Sequence, residues 1–124
     1  MNPLSVLFVD DDPMQVELLG RALAYEEVEV RGVPSLSEVG IALAQGRVDF
    51  VLLDASVLGA DPRSSVMVVR ALSGGPTKIL LLSAADEGKL RRMAIECGVD
   101  GWLSKSLPVP DMASSCVWPP LLSQ

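Results

Sequence analysis

Five short apolar runs punctuate the chain: Leu4–Val9, Val28–Val33, residues 50–53, residues 79–82 and Gly101–Ser104. Between them the pattern changes period. Val16, Leu19 and Leu23 recur at i, i+3 and i+7, Leu36, Val39 and Leu43 repeat that spacing, and Leu90, Met93, Ala94 and Cys97 make a full amphipathic stripe. Such stripes are expected of helices that each lay one face on a core. A third helical segment, over about residues 63–73, has a less clean period. Strand and helix therefore alternate as (βα)5, an α/β arrangement. The boundaries agree with this reading. Asp12 then Pro13 reads as an N-cap with proline at the first helical position, Ser35 and Glu38 have the spacing of a capping box, and Gly46 and Gly98 sit where helix-closing glycines belong.

The first, third and fourth runs are apolar at nearly every position, as in parallel strands covered by helices on both faces. Val28 to Arg31 instead alternates, and Gly101–Ser104 is mixed. Strands 2 and 5 are thus expected at the sheet edges. With right-handed crossovers this gives the flavodoxin-like doubly wound order 2-1-3-4-5, whose ligands sit outside the carboxyl ends of the strands.

A length of 124 residues suits one domain over residues 1–124, with a short, atypical last helix and tail at 109–124. The net charge of −6 argues against direct nucleic-acid contact, and the absence of histidine removes imidazole chemistry. Cys97 and Cys116, the two cysteines, form neither a CxxC nor a Cys/His cluster, so Cys97 reads as core filler. The first apolar run ends in aspartates and has no basic segment before it, which fits neither a signal peptide nor a membrane span; a cytoplasmic location is expected.

Candidate chemistry lies at the strand ends. Asp10 and Asp11 follow the first run, Asp54 the third, Ser83 the fourth and Lys105 the fifth, so all fall on one rim. Each alone also reads as a helix cap or a solvated charge; chance accounts poorly for the set. Two carboxylates about 4 Å apart repel by ~4 kcal/mol at an effective dielectric near 20, which calls for a counter-charge. Lys105 supplies one, and a hard divalent cation such as Mg²⁺ suits the oxygen donors. On this reading Asp10 and Asp11 hold the metal and Asp12 caps the first helix.

Along nearly its whole length the sequence resembles the receiver domain of two-component response regulators. The resemblance rests on "VLFVDDD", "VDFVLLD", "KILLLSA" and "GVDGWLSK". It implies a phosphoprotein of a phosphorelay, not an enzyme beyond its own phosphorylation and dephosphorylation. Asp54 would accept a phosphoryl group from a histidine kinase or phosphotransfer protein. Asp10, Asp11, Asp54 and the main chain of Ser56 would bind Mg²⁺ or another hard divalent cation. Ser83 and Lys105 would contact the phosphoryl group, and Ser83 with Trp102 would form the switch. Signalling would pass to a downstream protein by protein contacts, since only 19 residues follow Lys105.

The sequence also departs from that family. Leu58 stands where proline is usual and Pro62 where glycine is common, so the loop after the third strand is expected to take its own path. Ser106 replaces proline after the lysine, which predicts a trans Lys105–Ser106 bond. The apolar residues from Trp118 to Leu122 need burial, in the domain or against a partner, and a homodimer through helix 4, strand 5 and the last helix is the family's alternative. Two other functions fit less well. One is a pseudo-receiver, an interaction module without phosphorylation. The other is a haloacid-dehalogenase-type phosphohydrolase, which leaves Asp54 unexplained and lacks room for a cap domain.

Overall fold

A computed structural model describes residues 4–23 and 28–104. The strands are β1 (Leu4–Val9), β2 (Val28–Val33), β3 (Phe50–Asp54), β4 (Lys78–Ser83) and β5 (Gly101–Ser104); the helices are α1 (Pro13–Leu23), α2 (Val39–Ala44), α3 (Pro62–Ser73) and α4 (Glu87–Cys97). All pairings are parallel, in the order β2-β1-β3-β4-β5. The flavodoxin-like order read from the sequence is therefore the observed one, with β2 and β5 at the edges.

Alternation along the central strands divides the core into two layers. Val6, Phe8, Phe50, Leu52, Leu80 and Leu82 pack with Leu19 of α1. Leu7, Val9, Val51, Leu53, Ile79 and Leu81 pack with Val39 of α2, Val66 and Val69 of α3, and Leu90, Ala94 and Cys97 of α4. Cys97 is buried, and its thiol is pushed above its ordinary pKa by that burial and by the nearby Glu96 charge, as suits a space-filling side chain.

Helix ends follow the sequence in two places: Asp12 Oδ1 accepts the Met14 N–H at 3.0 Å, and Gly98, with φ of 78°, closes α4 by donating to Ala94 O. Asp86, not singled out from the sequence, caps the start of α4, its Oδ1 accepting the Lys89 N–H at 2.9 Å. One expectation fails. The Ser35–Glu38 capping box does not form: Leu36–Glu38 is a 3₁₀ turn, Ser35 caps no backbone N–H, and its hydroxyl pairs with that of Ser37 at 2.8 Å. Gly46 does follow Gln45, the residue that closes α2, but it does not take a left-handed conformation. The third and fourth strands extend beyond their apolar runs to take in Asp54, Lys78 and Ser83, and α3 starts at Pro62.

After β3 the chain runs through a short loop to α3. Ala55–Val57 forms a 3₁₀ turn, Leu58 is driven into the core at 2% exposure, and Gly59 turns the chain with φ of 73°. The Ser65 hydroxyl holds the loop by donating to Leu58 O at 2.8 Å. Asp61 then caps α3, accepting the Ser64 N–H at 3.2 Å and its hydroxyl at 2.7 Å. At β2, an added Cβ on Gly32 would meet Val16 Cγ1 at 2.5 Å, so a side chain there would push α1 off the sheet.

At the amino ends of the strands two aspartates serve as clasps. Asp49 donates its N–H to Ser5 O at 2.8 Å while its Oδ2 accepts the Ser5 N–H at 2.8 Å. Asp100 repeats the device on Ile79, with 2.8 Å in both directions. Arg47 and Arg70 then pair with the same carboxylate oxygens at 3.2 and 3.3 Å.

Candidate functional site

The register settles how the sequence-predicted acids meet. Val9 lies opposite Leu53, so the next step on each strand brings Asp10 level with Asp54 across neighbouring strands about 4.8 Å apart. Asp54 pairs in turn with Leu82, which puts Ser83 one step further along β4. All three side chains are buried: Asp10 is 3% exposed, Asp54 4% and Ser83 9%. Asp11 and Ser56 are exposed beside them.

One local device positions each of the three. Asp10 Oδ1 accepts the N–H of Asp12 at 3.0 Å, Asp54 Oδ1 that of Ser56 at 3.1 Å, and Ser83 Oγ that of Ala85 at 3.1 Å. In every case the acceptor is followed two residues later by its donor, the turn that Asp and Ser favour where a strand ends. The rim is thus held by its own loops. Sequence reasoning placed the three side chains but not these main-chain donors, whose only signal is an Asp or Ser at the last position of an apolar run.

The donor chemistry suits a hard divalent cation. Two nearly fully buried carboxylates stand level on adjacent strands, where like charges need a counter-charge, and Mg²⁺ is typically held by only one or two carboxylates with water and phosphate completing its shell. Among the described residues no three His, Cys, Asp or Glu side chains gather as a ready-made ligand group. Asp11 instead joins Asp10, Val16 and Gly32 in lining a cavity of about 310 Å³ between the ends of β1 and β2 and the start of α1; Asp54 is not among its lining residues.

Trp102 lies on β5, part-buried against the layer that carries α2 to α4, and Leu81 is its partner across the sheet. Its Nε1 is buried without a hydrogen-bond partner among the described residues. Lys105, Ser106, Cys116, Trp118 and the tail at 109–124 lie outside the described residues, and with them the lysine contact, the trans Lys105–Ser106 bond and the tail contact expected from the sequence. Among the described residues no helix is long and apolar enough to cross a membrane.

Comparison with known proteins places these features in context. Residues 6–116 match the family described as the response regulator receiver domain. The DNA-binding response regulator MtrA of Mycolicibacterium smegmatis is 32% identical over 100 residues, which cover 81% of this chain and 43% of that protein. The chain spans about half, or less, of the length of the curated relatives it matches. Among solved structures, a response regulator from Thermotoga maritima superposes with a TM-score of 0.82 at 18% identity, covering 98% of this chain and 99% of that one. A response regulator from Burkholderia pseudomallei, with a phosphorylated aspartic acid, a calcium ion and citrate, superposes with a TM-score of 0.72 at 19% identity, covering 97% and 71% of the two chains. These two show the likeness of fold.

Proposed function

Because the chain belongs to the response regulator receiver domain family, we propose that it takes a phosphoryl group on Asp54 from a phosphohistidine of a histidine kinase or phosphotransfer protein, in a reaction that depends on Mg²⁺. The observation that carries this reading is the placement of Asp54. It is the last residue of the central strand β3, buried, level with Asp10, and aimed by the Ser56 N–H. In the step, an Asp54 carboxylate oxygen attacks phosphorus and the P–N bond breaks. The imidazole leaves with the electron pair and takes its proton from solvent, giving an acyl phosphate.

No general base is needed, since a carboxylate is already the nucleophile and phosphoryl transfer is mainly positioning and charge stabilisation. A divalent cation held by Asp10, Asp11, Asp54 and the main chain of Ser56 supplies neutralisation of the phosphoryl oxygens when bound. Ser83, fixed at the end of β4, donates its hydroxyl to the phosphoryl group, and Lys105, one residue past β5, adds an ammonium to it. Trp102 is the aromatic that follows the rearrangement of Ser83. The signal then passes to a downstream protein through contacts of the domain, and the expected location is the cytoplasm.

Acetyl phosphate with Mg²⁺ tests the reading. One hydroxylamine-labile phosphate is expected by intact-mass spectrometry, lost on chelation of the metal. A chain that stays unmodified with the metal present is a pseudo-receiver.

A further inference from the structure

Residues 54–65 join the end of β3 to the first turn of α3 by a continuous run of hydrogen bonds. Asp54 Oδ1 accepts the Ser56 N–H at 3.1 Å and so heads the Ala55–Val57 turn, which closes where Leu58 donates its N–H to Ala55 O at 3.2 Å. Leu58 is buried in the core layer that holds Val66 and Val69 of α3. Its carbonyl accepts the Ser65 hydroxyl at 2.8 Å, and Ser65 stands in the first turn of α3. The position of the Asp54 carboxylate is thus passed, link by link, to the start of a helix.

Two features allow this run a second arrangement. The Ser65 hydroxyl has another acceptor within reach, Asp61 O at 3.3 Å, the carbonyl four residues earlier that helical serines commonly use. Letting go of Leu58 O therefore leaves the hydroxyl bonded. Gly59, at φ of 73°, has open space where a Cβ would stand, so the chain beside Leu58 can turn without a clash.

Charge on Asp54 decides between the two. A hydrogen bond to an ionised carboxylate is about twice as strong as one to a neutral acceptor. When an Asp54 oxygen bonds to phosphorus, the carboxylate becomes an acyl phosphate and the negative charge moves out to the phosphoryl oxygens. The Ser56 N–H then faces a neutral carboxyl oxygen, and the turn it anchors slackens.

We infer that residues 54–65 form a latch, held shut by the negative charge of Asp54 and released when phosphorylation moves that charge outward. Shut, the latch keeps Leu58 in the core and the first turn of α3 fastened to the loop. Released, Leu58 and that turn are freed, and the Ser65 hydroxyl passes from Leu58 O to Asp61 O. Weakening one charged hydrogen bond is small against the burial of a leucine, so phosphorylation raises the population of the released state without making it the sole one. The trigger rests on the function proposed above, with Asp54 as the acceptor. The latch itself rests on the hydrogen bonds from Asp54 to Ser65.

Hydrogen–deuterium exchange of the whole chain, read peptide by peptide, tests it. Acetyl phosphate with Mg²⁺ supplies the phosphoryl group, acetate leaves, and intact mass gives the fraction modified. In the modified chain the amides of residues 56–65 are expected to exchange roughly tenfold faster, as when a charged acceptor gives way to a neutral one. Asp54→Asn, which keeps the oxygen and lacks the charge, is expected to speed the same amides with no phosphate present. Ser65→Ala is expected to do so too and to leave little further change on phosphorylation, whereas Ser65→Thr keeps wild-type exchange. Unaltered exchange over residues 56–65 in a chain shown by mass to carry the phosphate overturns the latch, and so does wild-type exchange in Ser65→Ala. A chain that takes up no phosphate defeats the proposed function instead. Asp54→Asn then decides the latch alone: faster exchange supports a latch set by the Asp54 charge, and unchanged exchange overturns it.

Discussion

The two ends of the sheet use the same residue for opposite purposes. At the amino ends, Asp49 and Asp100 are tied into the fold on all sides: each trades two hydrogen bonds with a residue of the neighbouring strand and also meets an arginine. At the carboxyl ends, Asp10 and Asp54 are more deeply buried, yet the main-chain bond that positions each comes from its own loop, two residues on. The lower acids close the sheet, and their charge is answered within the fold. The upper pair stands level on adjacent strands, where the proposed function brings a cation and a phosphoryl group. Burial alone therefore does not set the two rims apart; the lower acids bond the main chain of a neighbouring strand, and the upper ones bond the main chain of their own loop.

Removing a lower clasp is expected to have the largest effect on stability. Asp100→Ala strips the Ile79 N–H of its side-chain acceptor and Arg70 of its ion-pair partner, and should lower unfolding stability by roughly 1–3 kcal/mol, the range for a part-buried polar group left unmatched. Asp54→Asn keeps an oxygen for the Ser56 N–H and removes a buried charge beside Asp10, so its denaturation midpoint should match or exceed that of the wild type. A midpoint that falls as far as in Asp100→Ala would erase the distinction between the rims.

Gly32→Ala sharpens the comparison at the upper end. Its Cβ would stand 2.5 Å from Val16 Cγ1 beside the cavity lined by Asp10 and Asp11, and the strain should cost about 1–3 kcal/mol. Adding Val16→Ala should recover part of that loss. Two substitutions that simply add in thermal denaturation would mean the close approach of β2 to α1 is not what matters.

The smallest effect concerns Asp61, whose carboxyl is held below its ordinary value of 3.8 by the Ser64 hydroxyl and then by the Ser64 N–H. Since the folded pKa lies below the unfolded one, the capping contribution is whole above the unfolded value and drains away as pH falls through the folded value. An NMR titration should place the Asp61 midpoint below that of an unstructured aspartate, and Ser64→Ala should bring it back up.

Much of this architecture is legible in the sequence. Fully apolar runs against an alternating and a mixed one identify the three inner strands and the two edges, and the rim residues then follow from where each run stops. The clasps were not legible. Asp49 and Asp100 act on main-chain groups 44 and 21 residues away, and a backbone N–H carries no side-chain signature. Their one trace is the Val-Asp pair that stands just before both β3 and β5, at Val48 and Val99. The Ser35–Glu38 spacing misled because the chain there winds first as a 3₁₀ turn, which shifts the side chains off the capping geometry. The blurred period of the third helix has a physical cause as well: Met67, Val68 and Leu72 add apolar residues to its outer face while Val66 and Val69 fill the inner one.

The division of labour between the rims is tested most directly by treating wild type, Asp54→Asn and Asp49→Asn with acetyl phosphate and Mg²⁺ and reading intact mass with peptide-level localisation. The account predicts one phosphate on Asp54 in the wild type and in Asp49→Asn, and none in Asp54→Asn. A phosphate load unchanged in Asp54→Asn, or one mapped to another residue of the wild type, would contradict it.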